Sequence, residues 1–110
     1  MEAERARRIQ ARTIKALAHP TRLTILAKLR EGEICTCELQ EILGLRQANI
    51  SQHLAILRKA NLVTTRREGL RVFYRVADDR IFEAVDLLSS ITHDQFAEAR
   101  RVLASMEASA

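Results

Sequence analysis

Only Pro20, Gly32, Gly44 and Gly69 interrupt a chain otherwise free of proline and glycine, and this scarcity fixes where its elements start and stop. Residues 3–17 have no breaker, and Ala6, Ile9, Thr13, Ala16 and Leu17 recur at helical spacing opposite Arg5, Arg8, Arg12 and Lys15. Pro20 suits the first turn of a second helix, which runs to about Arg30 with Leu23, Leu26 and Leu29 inward and stops at Gly32. A third helix starts near Thr36 or Cys37, either of which can act as N-cap, and buries Leu39, Ile42 and Leu43. Gly44 stands where a left-handed C-cap ends it. After Gly44-Leu45-Arg46, a fourth helix spans Gln47 to Lys59 with Ile50, Leu54 and Leu57 as its inward stripe.

The period then changes. Residues 62–66 and 71–76 are rich in β-branched and aromatic side chains and flank Arg67-Glu68-Gly69-Leu70, which predicts a β-hairpin turning at Gly69. Helical spacing resumes from Asp79 with Ile81, Val85, Leu88 and Ile91. Thr92-His93-Asp94-Gln95 reads as a capping box, which predicts a break and a further helix ending near Met106. The expectation is an α+β, mostly helical fold of five or six helices with one two-stranded β-hairpin, in a single domain over residues 1–110.

A chain of 110 residues has room for one modest core. Its net charge of +4 favours a polyanionic partner. No stretch is apolar enough to span a bilayer, and MEAERARRIQ lacks the apolar centre of a secretion signal, so a cytoplasmic protein without a membrane partner is expected. In a reducing compartment, Cys35 and Cys37 read as thiol chemistry or a metal site rather than a structural disulfide. The alternative is a pair of small, inert core residues. No constellation of acid, base and nucleophile marks an enzyme.

Two short helices joined by a tight glycine-containing turn and followed by a hairpin make a winged helix-turn-helix. An α-helix fits the major groove of double-stranded DNA, where outward amides pair with base edges. On the fourth helix Gln47, Asn49, Ser51 and Gln52 lie away from the apolar stripe and are the expected base readers. His53 sits nearer the stripe, as a base contact or a partly buried structural histidine. Arg46 and Lys59 flank that helix, and Arg66, Arg67, Arg71 and Arg75 load the hairpin. Arg46, Lys59, Arg66, Arg67 and Arg71 are the expected phosphate contacts, with Val72 and Tyr74 on the hairpin's other side.

From Leu17 to Leu88 the chain resembles the ArsR/SmtB family of metalloregulatory repressors. The resemblance rests on Ala18-His19-Pro20-Thr21-Arg22, Glu33-Ile34-Cys35-Thr36-Cys37-Glu38-Leu39, Ile50-Ser51-Gln52-His53-Leu54 and Arg67-Glu68-Gly69. It implies a homodimer formed largely by the first and last helices, bound to operator DNA without ligand and released when ligand binds, with no cofactor required. It also implies that Cys35 and Cys37 are the inducer site, for arsenite or antimonite first, and for cadmium, lead, mercury or zinc as alternatives. Soft thiolates select such ions. Arsenite-responsive relatives commonly add a third cysteine where this chain has Gln40, so an all-thiolate trigonal site within one protomer is excluded. The family's zinc site on the last helix is not retained. Asp78 and Asp94 match it, but Arg80 and Ile91 stand in place of histidines and His93 is two residues out of position.

Residues two apart point to opposite sides of a helix but share a face when extended. Clamping by both sulfurs therefore predicts an unwound start to the third helix and a displaced DNA reader. Two rivals stay open: a redox sensor of the same fold, against which the small ring of a Cys35–Cys37 disulfide counts, and a metal-sequestering protein whose basic surface is incidental.

Overall fold

The computed structural model describes residues 1–109, so Ala110, the last residue of the expected domain, lies outside them. The chain divides into two units, Met1–Asp79 and a second that begins at Arg80. The first contains α1 (Glu2–Leu17), α2 (Pro20–Leu29), β1 (Ile34–Cys35), α3 (Thr36–Leu43), α4 (Gln47–Lys59), β2 (Val63–Glu68) and β3 (Arg71–Val76). The second is the single helix α5 (Arg80–Ser109).

Local chemistry sets most boundaries. Glu2 and Glu4 in the first turn of α1 and Lys15 in its last complement the helix dipole. In α2 the extended His19 is the N-cap, its Nδ1 accepting the Thr21 N–H at 3.0 Å, and Pro20 occupies the first helical position. Gly44 ends α3 in the left-handed conformation, φ 63° and ψ 27°, its N–H bonded to the Gln40 carbonyl. Asn61 ends α4 in the same region, φ 60°. There the N–H groups of Asn61 and Leu62 reach the Arg58 and Leu57 carbonyls, and Leu62 turns into the core.

Unit 1 is organised around Ile50, Leu54 and Leu57, all fully buried with Ile25, Leu26, Leu39 and Val63. The expected stripe of α4 is therefore its core face. Two other inward assignments are corrected. Leu23 is 41% exposed and Ile25 takes its place, while in α3 only Leu39 is fully buried and Ile42 is 49% exposed. An eight-residue helix spans little more than two turns and buries only a narrow stripe.

The sheet has three strands in the order β1-β3-β2, all antiparallel, rather than two. The added strand, β1, pairs Ile34 with Tyr74 and Cys35 with Phe73. Two residues are too short to give a period-2 signal, so this strand was invisible in the sequence. In the wing β2 runs through Arg67 and Glu68, leaving a two-residue turn at Gly69-Leu70 with Gly69 at φ 61°.

In α5, the expected break at Thr92 is absent. Thr92 Oγ1 donates back to the Leu88 carbonyl at 2.9 Å instead of capping a new helix, and the helix continues unbroken for 30 residues. At 1.5 Å per residue it is about 45 Å long. Among the described residues there are thus five helices.

Candidate nucleic-acid interface and thiol site

The turn between α3 and α4 places Arg46 as an extended N-cap residue, with the Asn49 and Ile50 N–H groups bonded to its carbonyl at 3.0 and 3.2 Å. Burial of Ile50, Leu54 and Leu57 then dictates which side of α4 faces outward. Gln47, Asn49, Ser51 and Gln52 are all exposed, and among the described residues their side chains form no hydrogen bonds. At 100° per residue, Gln52 stands almost opposite the buried stripe, with Ala48 and Ala55, both exposed, beside it on the same face. Neither alanine carries a polar group to mark it in the sequence. A helical projection finds them, and their methyls allow close approach and contact with thymine methyls.

His53 does not join that face. It is half-buried, its Nδ1 3.2 Å from Arg22 Nη1, its ring centroid 4.4 Å from that of His19. Because guanidinium only donates, Nδ1 accepts and the proton of the neutral ring sits on Nε2. Arg22 Nε also donates to the Ala16 carbonyl at 2.6 Å, so one side chain ties the end of α1 to α4. Burial, then the neighbouring His19 and Arg22 charges, holds the His53 pKa below its ordinary value. The structural reading of this histidine is the one the geometry carries.

The wing separates its arginines. Paired residues of an antiparallel sheet share a face, so Arg66, Arg71 and Arg75 lie with Phe73, while Arg67 lies with Val72. Arg66 is engaged: Nε lies 3.1 and 3.2 Å from the two Glu33 oxygens, Nη2 pairs with Glu33 Oε1, and Nη1 is 2.7 Å from Glu68 Oε2. Its guanidinium carbon lies 4.6 Å from the centre of the Phe73 ring. The Arg66 hydrogen bond in turn holds the Glu33 carboxyl below the ordinary carboxylate range. Arg66 is thus already neutralised by carboxylates, which removes the motive for counting it among phosphate contacts. Arg46, Lys59, Arg67 and Arg71 are exposed, and among the described residues their side chains have no acidic partner.

An open groove of about 330 Å³ in unit 1 is lined by Arg12, Lys15, Arg22 and Lys59 around Ala16, Ile56 and Ala60. Its lining is made of cations and apolar side chains.

At the thiol pair the structure revises the expectation in two ways. Cys35 is the last residue of β1, extended at φ −74° and ψ 147°, and is itself the N-cap of α3 in place of Thr36 or Cys37. Its sulfur accepts the Cys37 N–H at 3.1 Å. The two cysteines are joined as a disulfide with their Cα atoms 5.3 Å apart, within the usual span for such a bond. The sequence reading placed both residues in or beside a helix that had to unwind. With Cys35 outside the helix, the sulfurs meet while α3 remains intact. Cys35 is buried and Cys37 exposed. Among the described residues no group of three His, Cys, Asp or Glu side chains gathers to hold a metal ion.

Residues 19–65 match the model of a family described as bacterial regulatory protein, arsR family. The biofilm growth-associated repressor of Agrobacterium fabrum is 42% identical over 78 residues, covering 71% of this chain and 67% of that protein. Among solved structures, Rv0081 from Mycobacterium tuberculosis aligns with a TM-score of 0.77 at 32% identity, over 84% of this chain and 94% of that one. The homodimeric winged helix-turn-helix DNA-binding domain of Mb0332 from Mycobacterium bovis aligns with a TM-score of 0.76 at 31% identity, over 83% and 84%.

The His53 environment has a measurable consequence. Its folded-state pKa is lowered, so the unfolded chain binds this proton more readily, and stability falls as pH drops through about 6.5. Protonation at Nδ1 also ends its bond to Arg22. Between pH 7.5 and 5.5 the urea midpoint should fall further for the parent than for His53→Gln. Equal falls would mean that His53 is not held neutral by the fold.

Proposed function

The chain belongs to the bacterial arsR family of regulatory proteins, the ArsR/SmtB winged-helix transcriptional regulators, and we propose that it is a dimeric repressor released from operator DNA when arsenite or antimonite bridges Cys35 and Cys37. The observation that carries this reading is the meeting of two sulfurs at the N-cap of the helix that supports the DNA reader. In the exchange, two thiols displace two hydroxyls of arsenous acid as two waters, leaving an arsenic atom bonded to both sulfurs and one hydroxyl. Cys37 is the exposed point of entry and Cys35 the buried second ligand. A two-thiolate site suits this three-coordinate product better than the four-coordinate sites of zinc or cadmium. The family places the chain among regulators rather than enzymes.

For DNA, the reading assigns base contacts to Gln47, Asn49, Ser51 and Gln52, and phosphate contacts to Arg46, Lys59, Arg67 and Arg71. Dimerisation is supported by apolar side chains left exposed in each unit: Ile9 and Ile14 on α1, and Leu88, Ile91, Phe96, Val102 and Leu103 on α5. The homodimeric state recorded for the Mycobacterium bovis domain agrees with it.

The disulfide itself favours a second reading, in which oxidation is the signal. Two thiols would then lose two electrons and two protons to an oxidant such as a peroxide, with Cys37 exposed to attack.

Gln52→Ala should lose discrimination at one base pair, at a cost of about 1–3 kcal/mol, while Arg67→Ala should weaken all duplexes alike and flatten the salt dependence. Parent-like binding by both would place the DNA surface elsewhere. Cys35→Ser/Cys37→Ser should bind operator like the parent yet stay bound when arsenite is added. Release of that variant by arsenite would move the sensor away from the pair, and release of the parent by peroxide but not by arsenite would establish the second reading.

A further inference from the structure

The register of the sheet sets three side chains in one row across it. Cys35 on β1 pairs with Phe73 on β3, and Phe73 pairs with Arg66 on β2. Side chains that are direct cross-strand partners share a face and stand about 4.5–5.5 Å apart at Cβ, close enough to pack on one another. The row is closed into a loop from outside. Arg66 lies over the Phe73 ring and reaches back to the carboxylate of Glu33, two residues before Cys35. A second tie runs from the residue between the cysteines, since Thr36 Oγ1 donates to the Val72 carbonyl at 3.4 Å. The segment carrying both sulfurs is therefore attached to the wing as well as to α3.

From this arrangement we infer that Arg66, held by Glu33 and stacked on Phe73, is a positioning residue that carries the state of the Cys35–Cys37 pair into the DNA-binding wing. The inference rests on the proposed reading of that pair as the inducer site. Two free thiols are independent of one another, whereas one arsenic atom bonded to both draws the sulfurs together and fixes their separation and direction. Cys35 is only 2% exposed, so it has little free space in which to take up that movement and must shift its neighbours. Phe73 is its partner across the strand pair. Displacing that ring disturbs the face on which the guanidinium rests, and moving the chain at Glu33 pulls on the other end of the same side chain. Arg66 belongs to β2, next to Arg67, so the disturbance arrives beside a cation assigned to phosphate. Communication through the sheet does not require α3 to unwind.

Arg66→Gln and Glu33→Gln separate this role from a DNA contact and from a purely structural one. Both residues lie at the surface, with side chains 49% and 34% exposed, and neither belongs to the core. The measurement is operator affinity by fluorescence anisotropy, for each protein with free thiols under a phosphine reductant and after loading with arsenite. The parent should lose affinity by a factor between about 5 and 150, the ordinary range for coupled sites. Both variants should bind within about threefold of the parent when their thiols are free, but lose less than half as much affinity, on a logarithmic scale, on arsenite loading. Arg66→Lys should behave like Arg66→Gln, because an ammonium keeps the charge without the planar fork and its stacking. A parent-sized loss in both variants would overturn the inference while leaving the thiol site standing. A tenfold weaker thiol-free complex for Arg66→Gln with an undiminished loss would overturn it in favour of a phosphate contact. No loss in the parent would defeat the thiol reading, and the inference would fall with it.

Discussion

The sheet, the helix-turn-helix and the thiol pair are joined through the backbone and sulfur of one residue. Cys35 closes β1, caps α3 and forms half of the thiol pair, so the same few atoms belong to the sheet, to the helix-turn-helix and to the reactive site. A helix N-terminus needs an acceptor for its unpaired N–H groups, and here the Cys35 sulfur supplies one. Any reagent that alters that sulfur therefore acts on a structural bond, without needing a path from a remote pocket.

The rest of unit 1 holds α4 and the wing in different ways. Ile50, Leu54 and Leu57 fix the rotation of α4, which is what sets Gln52 and the two alanines beside it outward. Arg22 and His53 tie the helix to the end of α1. The wing is held differently, by a short sheet and by one arginine between two carboxylates. Exposed ion pairs of this kind contribute little to stability. A contact of small energetic weight is well suited to being rearranged, whereas the α4 core is not.

Much of this was legible in the sequence because the features are periodic or punctuated. The α4 stripe, Pro20 at the start of α2 and Gly44 at the end of α3 each follow from a local rule, and each is where the rule puts it. The features that were not legible are non-local. β1 is two residues long and exists only because β3 is beside it. The engagement of Arg66 depends on Glu33, 33 residues away in sequence. The capping box at Thr92 was a false signal: the same hydroxyl can bond back within a continuing helix, and spacing alone does not distinguish the two. For the cysteines, the expected start near Thr36 or Cys37 already left Cys35 outside the helix; what spacing alone did not show is that an extended Cys35 at the N-cap lets the two sulfurs meet without unwinding α3.

The central claim is that the chemical state of Cys35 and Cys37 sets the affinity for DNA. Its most direct test is one titration of the unaltered protein. Fully reduced protein on a fluorescent operator is titrated with arsenite while free thiols are counted in the same samples. The account predicts that operator is released in step with the loss of two thiols per protomer. Loss of both thiols with the protein still fully bound to operator would contradict it.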